Sequence, residues 1–328
     1  MENKDKNKQK AVLMFPGQGS QYTGMGMDYM DLLNKSSNYF EAASELLQED
    51  LIKIISGDIG TNEKLENTFY SQVSIFTLSA AISDYLFKGK YLDKADIFAV
   101  TGHSLGDYGA LYACGYFNFK EGFDLVKCRG KLMSEANVKM DGMMAAILGT
   151  DYQTLKNLLQ EYKTKFKEEV YLANYNDYSQ IVISGRREDV GKAIDFLKEN
   201  GLRKIIPLKV RIASHTPLMK DVSENLGKYF CSLALNDPQI NFYSSTSMIY
   251  PKKEEIKSVM EKQLLIPINW VSSIEYFLGN GVNTFIEIGP GRVLSGLVKK
   301  IADKNSKDVL VFNTDKLIDL NNLIENLN

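Results

Sequence analysis

The chain has 328 residues, 44% of them hydrophobic and 24% charged, with a formal net charge of -2. That balance excludes a disordered or fibrous chain and argues against a nucleic-acid binder, which normally carries a basic excess. The length suffices for one large domain with an insertion or for two domains, with a sizeable core in either case.

Residues 1–9 alternate in charge with no apolar segment after them, which is unlike a secretory signal and predicts a flexible tail. No apolar run reaches the ~18 residues of a membrane span. The three cysteines, Cys114, Cys128 and Cys231, form neither a disulfide framework nor a CxxC metal site. A reducing, cytoplasmic setting is expected, with no metal.

Ala11-Val12-Leu13-Met14-Phe15 is a continuous apolar run of strand length that breaks into Pro16-Gly17-Gln18-Gly19-Ser20-Gln21, as a buried parallel strand feeding a glycine-rich loop would. Tyr22 stands where a G-x-G-x-x-G loop needs glycine, and no Walker lysine follows, so a nucleotide site is poorly supported. A helical pattern runs from Leu65 to Leu86 and includes Ser71-Gln72-Val73. Ile97-Phe98-Ala99-Val100-Thr101 reads as a second strand. It leads into Gly102-His103-Ser104-Leu105-Gly106 and a helix to Cys114 that Gly115 can close. Strand, tight turn and helix are the context in which G-x-S-x-G forms a nucleophile elbow. Its serine occupies a strained turn and projects its hydroxyl beside free main-chain N–H groups, Leu105 included. Asn118, with Glu121 three residues on, starts the next helix, which is expected to end near Ala136. On that helix Arg129 shares the apolar face of Leu125, Val126, Leu132 and Met133. It is one of six arginines and has no carboxylate one turn away. Its partner must come from elsewhere, as an interhelical carboxylate or as a ligand.

From Gly142 to Leu208 the pattern is βαββαβ, which predicts a small ferredoxin-like insertion. The main domain then resumes. Ser214-His215-Thr216-Pro217 places His215 at a loop-to-helix junction capped by Thr216. Gln263 to Trp270 leads into another helix, and the strand Thr284 to Ile288 stops at Gly289-Pro290-Gly291. The alternation predicts an α/β fold with a mainly parallel sheet. A serine nucleophile needs a base, and there are two histidines. His103 adjoins the serine and should point away from it, which leaves His215.

Phe15-Pro16-Gly17-Gln18-Gly19-Ser20-Gln21, Gly102-His103-Ser104-Leu105-Gly106, Arg129, Gly142-Met143-Met144-Ala145-Ala146, Ala173-Asn174-Tyr175-Asn176, Ser214-His215-Thr216-Pro217-Leu218-Met219, Gln263-Leu264 and Ile288-Gly289-Pro290-Gly291 together resemble the malonyl-CoA:acyl carrier protein transacylase family. That family includes the fatty-acid enzyme and the acyltransferases of polyketide synthases. The resemblance implies an α/β-hydrolase-like large subdomain with a parallel sheet (10–140 and 209–320) and an inserted ferredoxin-like small subdomain (141–208). It also implies Ser104 as nucleophile and His215 as base, with Gln263 orienting His215 through its main-chain carbonyl. The N–H groups of Gln18 and Leu105 would form the oxyanion hole, and Arg129 would bind the malonyl carboxylate. Malonyl-CoA would be the substrate and an acyl carrier protein the partner, with no tightly bound cofactor and with a monomer expected.

Asp107 stands where the family usually has glutamate, a shortening expected to matter for elbow packing more than for chemistry. Ile212-Ala213-Ser214-His215 resembles the serine-containing form found in methylmalonyl-selective polyketide domains and, in part, in fatty-acid enzymes. Ser214 therefore leaves a small volume at the substrate pocket, which Met143 and Met144 would fill if they approach the cleft. The alternatives are an acyl-thioester hydrolase acting on carrier-bound acyl groups, whose relatives lack the arginine, and a silent carrier-protein-binding module.

Overall fold

The computed structural model describes residues 9–58, 60–61 and 63–327. Its strands are β1 (Lys10–Phe15), β2 (Asp96–Gly102), β3 (Gly142–Leu148), β4 (Val170–Asp177), β5 (Gln180–Arg186), β6 (Lys204–Pro207), β7 (Phe242–Tyr243), β8 (Ile268–Asn269), β9 (Thr284–Glu287) and β10 (Leu310–Asn313). They form two five-stranded sheets. The expected tail lies outside the described residues except for Gln9, whose carbonyl accepts the N–H of Asp96 at 2.9 Å.

The large sheet has the order β10-β9-β1-β2-β7 and is parallel throughout. Central β1 is apolar because both its faces are covered. Ala11, Leu13 and Phe15 point into the larger core, which is shared with the helices Thr68–Lys88, Gly106–Ala113 and Phe119–Met140. Val12 and Met14 point into a second core, shared with Trp270–Gly279 and Val293–Lys304. The period of two in a strand sends alternate side chains to opposite layers.

The first of these helices begins later than its apolar pattern suggested. A 3-10 turn occupies Lys64–Glu66, and Asn67 caps the helix by accepting from Phe69 N. The helix after Asn118 has the expected capping box and runs to Met140, four residues past Ala136. It packs closely on Thr68–Lys88 at Gly130, where an added Cβ would lie 3.0 Å from Phe69 Cα.

The small sheet follows the βαββαβ pattern, with the order β6-β3-β5-β4 and every neighbour antiparallel. Ala145, Ile147, Ile181 and Ile183 face its two helices, Tyr152–Phe166 and Arg187–Glu199, whereas Met144, Ala146, Ala173 and Val182 form the opposite face. Met143 packs with the helix-side core, so alternation along β3 turns it away from the face that carries Met144. The sheet gains a fifth strand that its own sequence does not contain. β8, from the segment that leads into Trp270, pairs in parallel with β4 through Asn174–Ile268 and Tyr175–Asn269.

Candidate active site

The turn at the end of β2 is built from close approaches that only glycine permits. A Cβ on Gly102 would lie 2.1 Å from Asp107 N, and one on Gly106 would lie 1.9 Å from Phe15 O. Between them Ser104 adopts φ 54°, a left-handed conformation that costs a non-glycine residue free energy and persists only where the surroundings impose it. The loop after β1 lies against this elbow. His103 N donates to Phe15 O at 3.0 Å, and Gly17 is so close to His103 that a Cβ there would meet its carbonyl oxygen at 2.3 Å. Gln18 is thereby carried to the elbow. Among the described residues, the N–H groups of Gln18 and Leu105 have no protein acceptor.

His215 also has positive φ, 61°, and is buried at 2% exposure, although its segment is polar in sequence. Thr216 Oγ1 ties the turn by donating to Ala213 O at 2.7 Å and accepting from Leu218 N. The first residue of β3, Gly142, packs on the backbone of Ile212 and Ala213, leaving no room for a Cβ. The imidazole Nε2 lies 2.9 Å from Ser104 Oγ, and Nδ1 lies 3.0 Å from both Gln263 O and Ile266 O. Carbonyl oxygens only accept, so Nδ1 must carry the hydrogen, and Nε2 is left as an acceptor toward the serine. Burial, and then the neighbouring His103 and Arg129, push the His215 pKa down to about 3. The ring is therefore neutral.

Arg129 is 1% exposed. Its Nη1 donates to Gln72 Oε1 at 2.7 Å and its Nη2 to Ser104 Oγ at 3.1 Å, while Nε has no partner among the described residues. Its guanidinium carbon lies 5.4 Å from the centre of the Tyr108 ring. No carboxylate forms an ion pair with it among the described residues. Burial works against its charge. Because a guanidinium only donates, Ser104 Oγ must accept from it, and the hydroxyl hydrogen is free to point at His215 Nε2.

The acyl transferase domain family matches residues 12–312. The chain belongs to this family, in its malonyl-CoA:acyl carrier protein transacylase branch. It is 39% identical to the malonyl CoA-acyl carrier protein transacylase of Bacillus subtilis (strain 168) over 89% of this chain and 90% of that one. With the Haemophilus influenzae protein of the same name it shares 34% identity over 89% and 92%. Among solved structures it is similar to a malonyl-transacylase in complex with its type II PKS acyl-carrier protein. The TM-score there is 0.89 at 31% identity, over 97% of this chain and 100% of that one.

Of the residues that the family resemblance singled out, Ser104, His215, Gln263 and Arg129 meet in one hydrogen-bonded group, and Gln18 and Leu105 flank it. Ser214 is 6% exposed beside the base. His103 points away from Ser104, as its place in the elbow predicted, with Nε2 3.0 Å from Asn176 Oδ1 on β4 and its ring packed edge-on against Trp270. Two participants escaped the sequence reading, and a third, Asp107, was expected to matter for packing. Gln72 receives Arg129 across the helix interface. Ile266 contributes only a carbonyl, which no side-chain pattern reveals. Asp107 is fully buried and accepts from Gln263 Nε2 at 2.6 Å, so it contacts a group that also holds the base. A glutamine inside an apolar helical run was the available signal for Gln72.

Proposed function

We propose that this protein moves malonyl from malonyl-CoA to the phosphopantetheine thiol of an acyl carrier protein, in fatty-acid or polyketide synthesis, through a malonyl ester on Ser104. His215 Nε2 takes the hydroxyl proton while Ser104 Oγ attacks the thioester carbonyl. The N–H groups of Gln18 and Leu105 stabilise the resulting oxyanion. Collapse breaks the carbon–sulfur bond, and His215 returns the proton to the departing sulfur. The carrier's thiol then gives its proton to His215 and attacks the ester, and collapse restores the Ser104 hydroxyl, so kinetics are ping-pong. The carbonyls of Gln263 and Ile266 hold the imidazolium form in place of a carboxylate.

The observation that carries this reading is Arg129. A buried guanidinium that touches the nucleophile and has no carboxylate of its own among the described residues fits a substrate that brings one. A hydrolase acting on neutral acyl groups would leave that charge uncompensated. The reading includes the subdomain limits 10–140 with 209–320 and 141–208, no tightly bound cofactor or metal, a monomer, a cytoplasmic setting, and no nucleic-acid or membrane partner. Among the described residues no helix is long and apolar enough to cross a membrane.

The deciding experiment is intact-mass measurement after incubation with malonyl-CoA. The wild type should gain one malonyl group, lost again on addition of a phosphopantetheinylated carrier protein, and Ser104→Ala should gain none. An adduct on Ser104→Ala would overturn the nucleophile. Release of the adduct to water faster than to the carrier thiol would favour the hydrolase.

A further inference from the structure

Gln263 stands at the junction of three groups. Its main-chain carbonyl accepts from His215 Nδ1 at 3.0 Å. Its side-chain Nε2 lies 2.6 Å from Ser104 O and 2.6 Å from Asp107 Oδ2. An amide nitrogen has two hydrogens, so both are committed, one to the nucleophile's own backbone and one to the carboxyl three residues further on. Turning the amide over would set its oxygen against the carbonyl of Ser104, which can only accept. Asp107 and Gln263 are both at 0% exposure, and no cation forms an ion pair with Asp107 among the described residues. A carboxyl without a salt bridge is expensive to bury. Here it occupies the first turn of Gly106–Ala113, rigidly joined to the elbow. It does not reach the imidazole, whose Nδ1 is taken by the two carbonyls, so it is not the acid of a conventional triad.

Building on the acyl-transfer reading above, we propose that Asp107 is a positioning residue of that reaction. Through the amide of Gln263 it locks the carbonyl that orients His215 to the backbone of Ser104, so that base and nucleophile keep one relative placement. The shorter acid is then more than a packing adjustment. Its length sets where Gln263 sits, and Gln263 sets where the imidazole points.

The test follows malonyl-Ser104 formation by rapid-quench intact mass over a range of malonyl-CoA concentrations, which separates the maximal rate from the half-saturating concentration. Asp107→Ala should lower the maximal rate by about 10- to 100-fold, the scale of an ångström's misplacement, with half-saturation changed less than about threefold. Asp107→Asn keeps an oxygen for the same Gln263 hydrogen and should regain most of the rate. Gln263→Met keeps the main-chain carbonyl but removes the amide. It should match the alanine variant, and the two losses should not add in the double variant. If Asp107→Ala does not fold by circular dichroism, the Asp107→Asn and Gln263→Met pair carries the test.

Additive losses would overturn the proposal, as would a rise in half-saturation at unchanged maximal rate, or equal losses in the alanine and asparagine variants. A wild type that forms no malonyl-serine would instead remove the underlying acyl-transfer reading, whereas a labelled wild type beside an unimpaired Asp107→Ala removes only this one.

Discussion

Replacing Arg129 by alanine separates two contributions that malonyl and acetyl donors feel differently. For malonyl, the substrate carboxylate loses a buried, charge-assisted partner, and truncating one side of such a pair costs about 2–5 kcal/mol. At about 1.4 kcal/mol per tenfold that is a loss of about 30-fold to several thousandfold in kcat/KM. For acetyl the same substitution works the other way. The guanidinium donates to Ser104 Oγ at 3.1 Å, His215 Nε2 lies 2.9 Å from that oxygen, and the charge adds to burial and to His103 in holding the His215 pKa down. A malonyl carboxylate compensates the charge and an acetyl group does not, so acetyl meets a weaker base. Removing the guanidinium frees the base for acetyl and removes the ion pair for malonyl. The ratio of acetyl to malonyl kcat/KM should therefore rise by at least about 30-fold. The variant also leaves Gln72 Oε1 without its donor, at about 1–3 kcal/mol of stability, so melting curves must show that it remains folded at the assay temperature. A radiolabelled competition between the two donors reads the ratio directly. A change below tenfold in the folded variant would mean that Arg129 does not meet the acyl carboxylate.

His215→Ala should slow serine loading by about 10²–10⁴-fold, the loss typical of a general base, and unchanged pre-steady-state loading would refute that role. The base form of His215 persists until pH falls through about 3, whereas Asp107, raised by burial to about 7, titrates in the neutral range. The kcat/KM profile of Asp107→Asn should thus have no acid limb at the 6.5 of an ordinary histidine, and a limb there would contradict the buried neutral ring. Glu287 is buried and accepts from Leu294 N and Ser295 N at the start of Val293–Lys304, yet desolvation raises its pKa to about 7. A carboxyl raised on folding adds stability that is fully present below its unfolded pKa and lost as pH rises through about 7, here about 3 kcal/mol. Relative to Glu287→Gln, the wild type should therefore lose stability between pH 4.5 and 7.5 in denaturant titrations, and a constant difference would refute the shift. Methylmalonyl-CoA should be slower than malonyl-CoA by about 10–200-fold, the range one methyl commands, and Ser214→Phe should slow it further. An untouched ratio would remove Ser214 from the pocket wall.

Features written in short-range chemistry were legible before the structure. β1 and β2 were visible as apolar runs, the elbow as glycines about a serine, the helix start at Asn118 as its capping box, and the small subdomain as its βαββαβ order. What the chain concealed depends on pairing at a distance. Two-residue strands such as β7 and β8 exist only because a neighbour supplies hydrogen bonds. Ile266 acts through a carbonyl that every residue possesses. Met143 and Met144 are adjacent in sequence, and only the register of β3 decides which of them turns toward the helices. The roles of Gln72 and Asp107 required knowing which buried polar atoms face one another.

The borrowed strand β8 has a mechanical consequence. Asn174 and Asn176 of β4 reach His103, next to the nucleophile, while Asn174 and Tyr175 of the same strand pair with Ile268 and Asn269, two and three residues beyond the Ile266 carbonyl that holds the base. One strand of the small sheet therefore grips both jaws of the catalytic pair. A displacement of β4 would therefore carry the neighbour of Ser104 and the support of His215 in the same direction, as a caliper moves with its bar set.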